Sequence, residues 1–219
     1  TSSMKAVLLL SLAFAGCGVT GAGPQTAPAA QAQSAAAAQT KPDAPRPSSG
    51  SPFLDSLVEA AVERTTQEVR YDPTYFNIPY PNGDVPAEVG VCTDEVIRSY
   101  RKVGVDLQKE VHEDMKANFA LYPRKWGLKK TDTNIDHRRV PNLMVFFERQ
   151  GAARPVTDAA ADYKPGDVVT WDLGGGLTHI GIVVGVRAEG HRERFQIVHN
   201  IGAGPKMEDV LFNWTITGH

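Results

Sequence analysis

The hydrophobic period of this chain changes once, near residue 150, and that change limits the folds open to it. Before it, apolar residues recur at helical spacing: Phe53, Leu54, Leu57, Val58, Ala61 and Val62 form one such stripe. Ser51-Pro52 places an N-cap and a first-turn proline before that stripe, so a helix is expected from there to about Val69. Further helices are expected from Cys92 to Val103, from Leu107 to Ala120 and from Pro141 to Gln150, with Gly104 and Gly151 as stops. Beyond that point the apolar runs are short and β-branched. Asp167 to Trp171, Thr178 to Val186, Arg194 to Ile201 and Phe212 to Thr217 read as strands between glycine or charged turns. Helices first and strands second argue for an α+β domain, with N-terminal helices packed on an antiparallel β-sheet.

The chain also divides by composition. A positive charge at Lys5 precedes an apolar run from Ala6 to Ala15, which is too short to cross a bilayer as a helix, so residues 1–17 read as an export signal. Leu12-Ala13-Phe14-Ala15-Gly16-Cys17 resembles a bacterial lipobox, with Phe14 where leucine is usual. That resemblance implies lipidation of Cys17 and a membrane anchor; cleavage near Ala13-Phe14-Ala15 would instead release the protein. Either way the expected location is the periplasm or cell envelope. Residues 18–50 are Ala, Pro, Gln, Ser and Thr with almost no large side chains, a composition that cannot offset its ordering entropy, and they read as a tether. Residues 51–219 remain as one domain, expected to be a monomer. The net charge of −2 gives no field for nucleic acid.

Within that domain Cys92 is the lone cysteine. In Gly90-Val91-Cys92-Thr93-Asp94 a glycine turn runs into a helical pattern, so Cys92 is expected in a first helical turn. Free amides and the helix dipole there favour a thiolate. The alternative is a small buried hydrophobe, the commoner fate of a free cysteine. A nucleophilic thiol needs an imidazole to take its proton, and a third group to orient that imidazole. His179 opens the strand Ile180-Gly181-Ile182-Val183-Val184, and His199 lies in Phe195-Gln196-Ile197-Val198-His199-Asn200. If these strands form a hairpin, the two histidines meet at one end of the sheet. His191 belongs to the charged turn between them.

Other candidates are weaker. Asp136-His137-Arg138-Arg139 crowds four titratable residues before a helix. They either clamp substrate carboxylates through bidentate arginine contacts or cap a helix with surface ion pairs. Asp94, next to the cysteine, is a further candidate for substrate binding, and His137 rivals His199 as orienter. His112-Glu113-Asp114 would point in different directions from a helix, with no partner at ligand spacing, so no metal is expected. Gly174-Gly175-Gly176 lacks the Lys-Ser/Thr of a phosphate loop, and nothing else calls for a cofactor. Trp126 and Trp171 read as core or cleft wall.

Two resemblances sharpen this picture. Lys164-Pro165-Gly166-Asp167-Val168-Val169-Thr170-Trp171 followed by Thr178-His179-Ile180-Gly181-Ile182-Val183 resembles the papain-like NlpC/P60 cell-wall peptidases. That resemblance implies Cys92 as nucleophile, His179 as base, His199 as orienter and Tyr80, in Ile78-Pro79-Tyr80-Pro81-Asn82-Gly83, as oxyanion partner. The cysteine motif departs from the usual Asp-Cys-Ser-Gly. Tyr71-Asp72-Pro73, Gly83-Asp84-Val85-Pro86, Gly90-Val91-Cys92-Thr93-Asp94, Val111-His112-Glu113-Asp114-Met115 and Thr133-Asn134-Ile135-Asp136-His137-Arg138-Arg139-Val140-Pro141-Asn142-Leu143 together resemble the family DUF1287, from about Leu57 to the C-terminus. Placed among NlpC/P60-like proteins, that family implies a secreted cysteine hydrolase of amide bonds in peptidoglycan stem peptides or cross-links, with an L,D-endopeptidase as one form. A non-catalytic module that binds peptidoglycan or a partner, and a thiol acyltransferase on the same scaffold, stay open.

Overall fold

A computed structural model describes residues 47–219. The expected export signal, Cys17 and the tether up to residue 46 lie outside the described residues.

The first helix, α1 (Pro52–Arg64), starts where Ser51 caps it and Pro52 needs no amide partner. It stops short of Val69, because the Thr65 and Thr66 hydroxyls donate back to the carbonyls of Val62 and Glu63 and close the last turn. A short parallel pair follows, β1 (Arg70–Tyr71) with β2 (Val89–Gly90), inside what the sequence presents only as a loop. The connection between them is fixed by buried Arg98, which bonds Asp84 and the carbonyls of Val85, Pro86 and Val89.

Three more helices are α2 (Cys92–Lys102), α3 (Leu107–Ala117) and α4 (Val140–Arg149), the last preceded by a 3₁₀ turn, Asp136–Arg138. Then come the strands of one antiparallel sheet: β3 (Val168–Gly174), β4 (Leu177–Arg187), β5 (Phe195–His199), β6 (Lys206–Glu208) and β7 (Thr215–Gly218). Their order across the sheet is β6-β5-β4-β3-β7. The α+β architecture expected from the period change is therefore present, with β6 as a strand the sequence did not announce.

Alternation along β4 decides how the layers pack. Ile180, Ile182 and Val184 face the helices and bury against Leu57, Val58, Val96, Val111 and Leu143. Val183 faces the other way, into a second cluster of Tyr163, Trp171, Phe195, Ile197 and Leu211. Both faces of the central strand are thus apolar and covered, which explains its continuous hydrophobic run. Burying side chains of this size contributes about 1.5–3 kcal/mol each. Gly181 lets β5 lie close: a Cβ there would stand 2.6 Å from Ile197 Cγ2 and 2.9 Å from the Val198 carbonyl oxygen.

Candidate active site

Cys92 is the first residue of α2, as its sequence context predicts, and is 5% exposed. Its sulfur reaches the sheet for a reason found in the strand register. Ile182 pairs with Val198 and Gly181 with His199, so Ile180 would next meet Asn200. But β5 ends at His199, and Cys92 packs against Ile180, whose backbone favours a charge on the sulfur. The backbone of Thr93 and of Cys92 itself adds smaller effects in the same direction. These effects favour the thiolate, as the helix-start expectation requires, yet burial outweighs them and pushes the thiol up to about 12. Burial thus works against the thiolate that the helix start favours.

His179 precedes Ile180 on β4. It shares a face of the sheet with Trp171, its register partner, and packs 5.7 Å from that ring and 5.8 Å from Trp214. His179 Nε2 lies 2.8 Å from His199 Nδ1, so the hairpin does bring the two histidines together. His199 Nε2 lies 3.0 Å from Glu208 Oε2 on β6. A carboxylate only accepts, so this contact sets the tautomers in turn. His199 donates from Nε2 to Glu208 and accepts at Nδ1. His179 then donates from Nε2 and keeps a bare Nδ1. Among the described residues no hydrogen bond joins His179 to Sγ, and Nδ1 is the ring atom left for a thiol proton. Burial, then the neighbouring His199, holds the His179 pKa down to about 3. Burial lowers His199 too, against the pull of Glu208. Glu208 had no signal in the sequence, because its strand is three residues long and carries no alternating pattern.

The oxyanion candidate changes identity. Tyr80 stacks edge-on against His112, ring centres 5.0 Å apart, and is not among the residues that line the groove at Cys92. Tyr71 is, because the β1–β2 pairing sets it beside Gly90, two residues before Cys92. Its hydroxyl is raised to about 12 by burial first, and then by the negative charge that Cys92 and Asp94 would place beside it.

The charged cluster is mostly structural. Arg138 grips Asp94 with two hydrogen bonds, Nε to Oδ1 at 2.9 Å and Nη2 to Oδ2 at 3.0 Å, and both side chains are 2% exposed. Asp94 also accepts the Val91 amide at 2.7 Å, capping α2 one residue before Cys92. Neither Asp94 nor Arg138 is free to clamp a substrate; they hold the cysteine helix to the 136–139 loop, which Thr93 joins through its hydroxyl on the Arg138 carbonyl. Asp136 is 1% exposed and accepts the Asp132 amide, and burial raises it to about 6. His137 is 2% exposed, held to about 3 by burial and then by Arg138 and Arg101, and is absent from the contacts of His179, so it is not the orienter. Charge in a loop suggested exposure, and partners distant in sequence reversed it. Arg138 and Arg139 both line the groove, a space of about 220 Å³ shared with Tyr71, Cys92, Trp126, Pro141 and Thr178.

A larger cavity, about 420 Å³, lies elsewhere, between α1, α4 and β3, and contains none of these groups. Asp114 is taken up by Arg149 and Tyr122. No cluster of three or more metal-ligating side chains occurs among the described residues, and no helix among them is long and apolar enough to cross a membrane.

Fold and site define a class: helices on an antiparallel sheet, with a buried thiol at a helix start and a His-His-Glu line on the sheet. The chain belongs to the family described as a domain of unknown function, DUF1287, whose profile matches residues 58–219. It is similar to the uncharacterized protein YijF of Escherichia coli (strain K12), at 51% identity over 165 residues, 75% of this chain and 79% of that protein. No solved structure matches it.

Proposed function

We propose that this domain is a papain-like cysteine hydrolase of the NlpC/P60 kind, acting on amide bonds of peptidoglycan stem peptides or cross-links in the cell envelope. The observation that carries this is the packing of Cys92, at a helix start, with Ile180, one residue from a histidine whose Nε2 is already bonded to His199. His179 Nδ1 takes the thiol proton as sulfur attacks the carbonyl carbon. The Cys92 amide and the Tyr71 hydroxyl stabilise the oxyanion. His179 then returns the proton to the leaving amine, and water hydrolyses the thioester by the same route in reverse. His199 and Glu208 hold the base in the required tautomer. An L,D-endopeptidase is one form this activity could take. The enzyme would work in the periplasm, reached through the export signal and tethered there if Cys17 is lipidated.

Digestion of muropeptides by the purified protein, with products resolved by mass spectrometry, tests this. Wild type releases fragments, while Cys92→Ala and His179→Ala do not; undiminished cleavage by either variant rules the mechanism out. The burial of the thiol and the missing Cys92–His179 hydrogen bond favour a second possibility, a non-catalytic peptidoglycan-binding module. Retention of the wild type on sacculi without fragment release would select it.

A further inference from the structure

The His179–His199 pair sits in a box of aromatic rings, and one wall of that box is a residue that no sequence pattern announced. Trp171 is the inner wall, buried and 5.7 Å from the His179 ring. Trp214 is the outer one. Its ring centre lies 5.8 Å from His179, 6.3 Å from His199 and 6.2 Å from Trp171, edge-on to each. The strand register explains this placement. Trp171 pairs with His179 on β4 and with Ile216 on β7, so Trp214, two residues before Ile216, falls on the same face of the sheet. The Trp171 indole also holds the segment just before it, because Nε1 donates to the Leu211 carbonyl at 2.9 Å.

Burial divides the four rings unequally. Trp171 and both histidines are 2% exposed or less, whereas Trp214 is half-buried. Trp214 is therefore the ring of the box that meets solvent, and it covers the other three. That cover matters because few charges bear on the pair. Among the described residues the titratable groups facing the two histidines are each other and Glu208 on β6. Burial acts on His179 first and His199 second, while Glu208 pulls against burial at His199. Water exclusion is thus the main influence on the base, and a ring that excludes water controls it. An indole suits the position, since it offers a large apolar surface and no ionisable group of its own.

We propose that Trp214 is a positioning residue that seals the histidine pair from water and so sets the proton affinity of His179. It acts through the base and touches no reacting atom. The catalytic consequence rests on the hydrolase reading. A base held neutral by its cover stays ready for the Cys92 proton well below neutral pH, and opening the cover gives the rate an acid limb near the ordinary histidine range.

The test follows the histidine ring signals of the full chain by NMR from about pH 4.5 to 8, with His179 and His199 assigned through His179→Gln and His199→Gln. In the wild type His179 should not titrate in this range. In Trp214→Ala its midpoint should move up towards about 6.5 by at least about one pH unit, a tenfold or greater gain in proton affinity. Trp214→Phe keeps an aromatic cover and should stay close to wild type. A wild-type His179 that already titrates near 6.5, or a folded Trp214→Ala with an unchanged His179 midpoint, overturns the proposal. If Trp214→Ala does not fold, Trp214→Leu supplies the comparison: a smaller shift in the same direction is expected, and no shift overturns the proposal. Muropeptide digestion over the same pH range separates this from the hydrolase reading. A shifted midpoint without cleavage by the wild type leaves the cover standing and removes the hydrolase. Cleavage by the wild type with no shift in the variants removes the cover alone.

Discussion

Replacing Asp94 with alanine tests whether that carboxylate belongs to the fold. The substitution would strand the Arg138 guanidinium, 2% exposed, with only the Thr74 carbonyl as acceptor. Removing one partner of a buried ion pair costs about 3–5 kcal/mol, whereas an exposed pair is worth about 1 kcal/mol or less. The lost cap on the Val91 amide falls within that figure and is not added to it. For a domain of this size, about 2–4 °C of melting temperature accompanies each kcal/mol, so the midpoint should drop by roughly 6–20 °C. Asp94→Asn keeps the shape and loses the charge, and should fall in the same range. The double variant Asp94→Leu with Arg138→Met should recover most of the loss, because an apolar pair of similar volume often replaces a buried ion pair at little cost. Urea unfolding followed by circular dichroism gives the free energies. A cost below about 1 kcal/mol for Asp94→Ala would refute the assignment and return Asp94 to the list of groups free to meet substrate.

The relay through β6 predicts that Glu208→Ala lowers kcat/KM on a muropeptide by about tenfold or less, the hydrogen bond to a charged group being discounted because the Glu208 side chain is 44% exposed. Glu208→Gln, whose carbonyl can still accept from His199, should restore most of the rate; full activity in the alanine variant counts against the relay. Tyr71→Phe should lower kcat by about ten- to a hundredfold with little change in KM, while Tyr80→Phe leaves both unchanged, and the reverse pattern would restore Tyr80 as the oxyanion donor. Stability should fall on acidification. His137 and His179 are held to about 3 in the fold, and His199 is lowered as well. The unfolded chain titrates its histidines near 6.5, so below that pH it binds protons the fold refuses. The contribution present in full above pH 6.5 is lost as pH falls towards 3. Asp136, raised to about 6, acts with the opposite sign between about pH 6 and 4, and Glu95 is raised as well; with His112 also lowered, these are two carboxylates against four imidazoles. A urea midpoint higher at pH 4.5 than at pH 7.5 would contradict this balance.

What the sequence revealed was what depends on near neighbours. The start of α2 at Cys92, the start of α1 at Pro52 and the switch to strands are set by caps, periods and turn residues within a few positions. The His179–His199 contact was legible because one antiparallel hairpin determines it. The failures share a different cause. Tyr71 takes the place expected for Tyr80 because β1 pairs in parallel with a strand about twenty residues on, and no local pattern encodes that. Asp94 and Arg138 read as candidates to meet substrate until their mutual burial is known. The extension of α1 to Val69 failed on two threonine hydroxyls that compete for the last carbonyls, a local signal that the apolar stripe outweighed.

The two opposing effects on Cys92 bear on the chemistry as much as on the fold. The helix start and the nearby backbone favour a charge on Sγ, and a thiol so placed in water-accessible surroundings would ionise readily. Here desolvation wins, and His179 is held to about 3 by the same cause. A low base and a high acid make the separated ion pair the unfavourable state, so a preformed thiolate-imidazolium is not the resting form of this site. In the proposed hydrolase, proton transfer would then accompany attack, as in a serine hydrolase. In that scheme the His199–Glu208 line has a definite task. It keeps Nδ1 of His179 bare at rest and stabilises the imidazolium during the brief interval in which it exists.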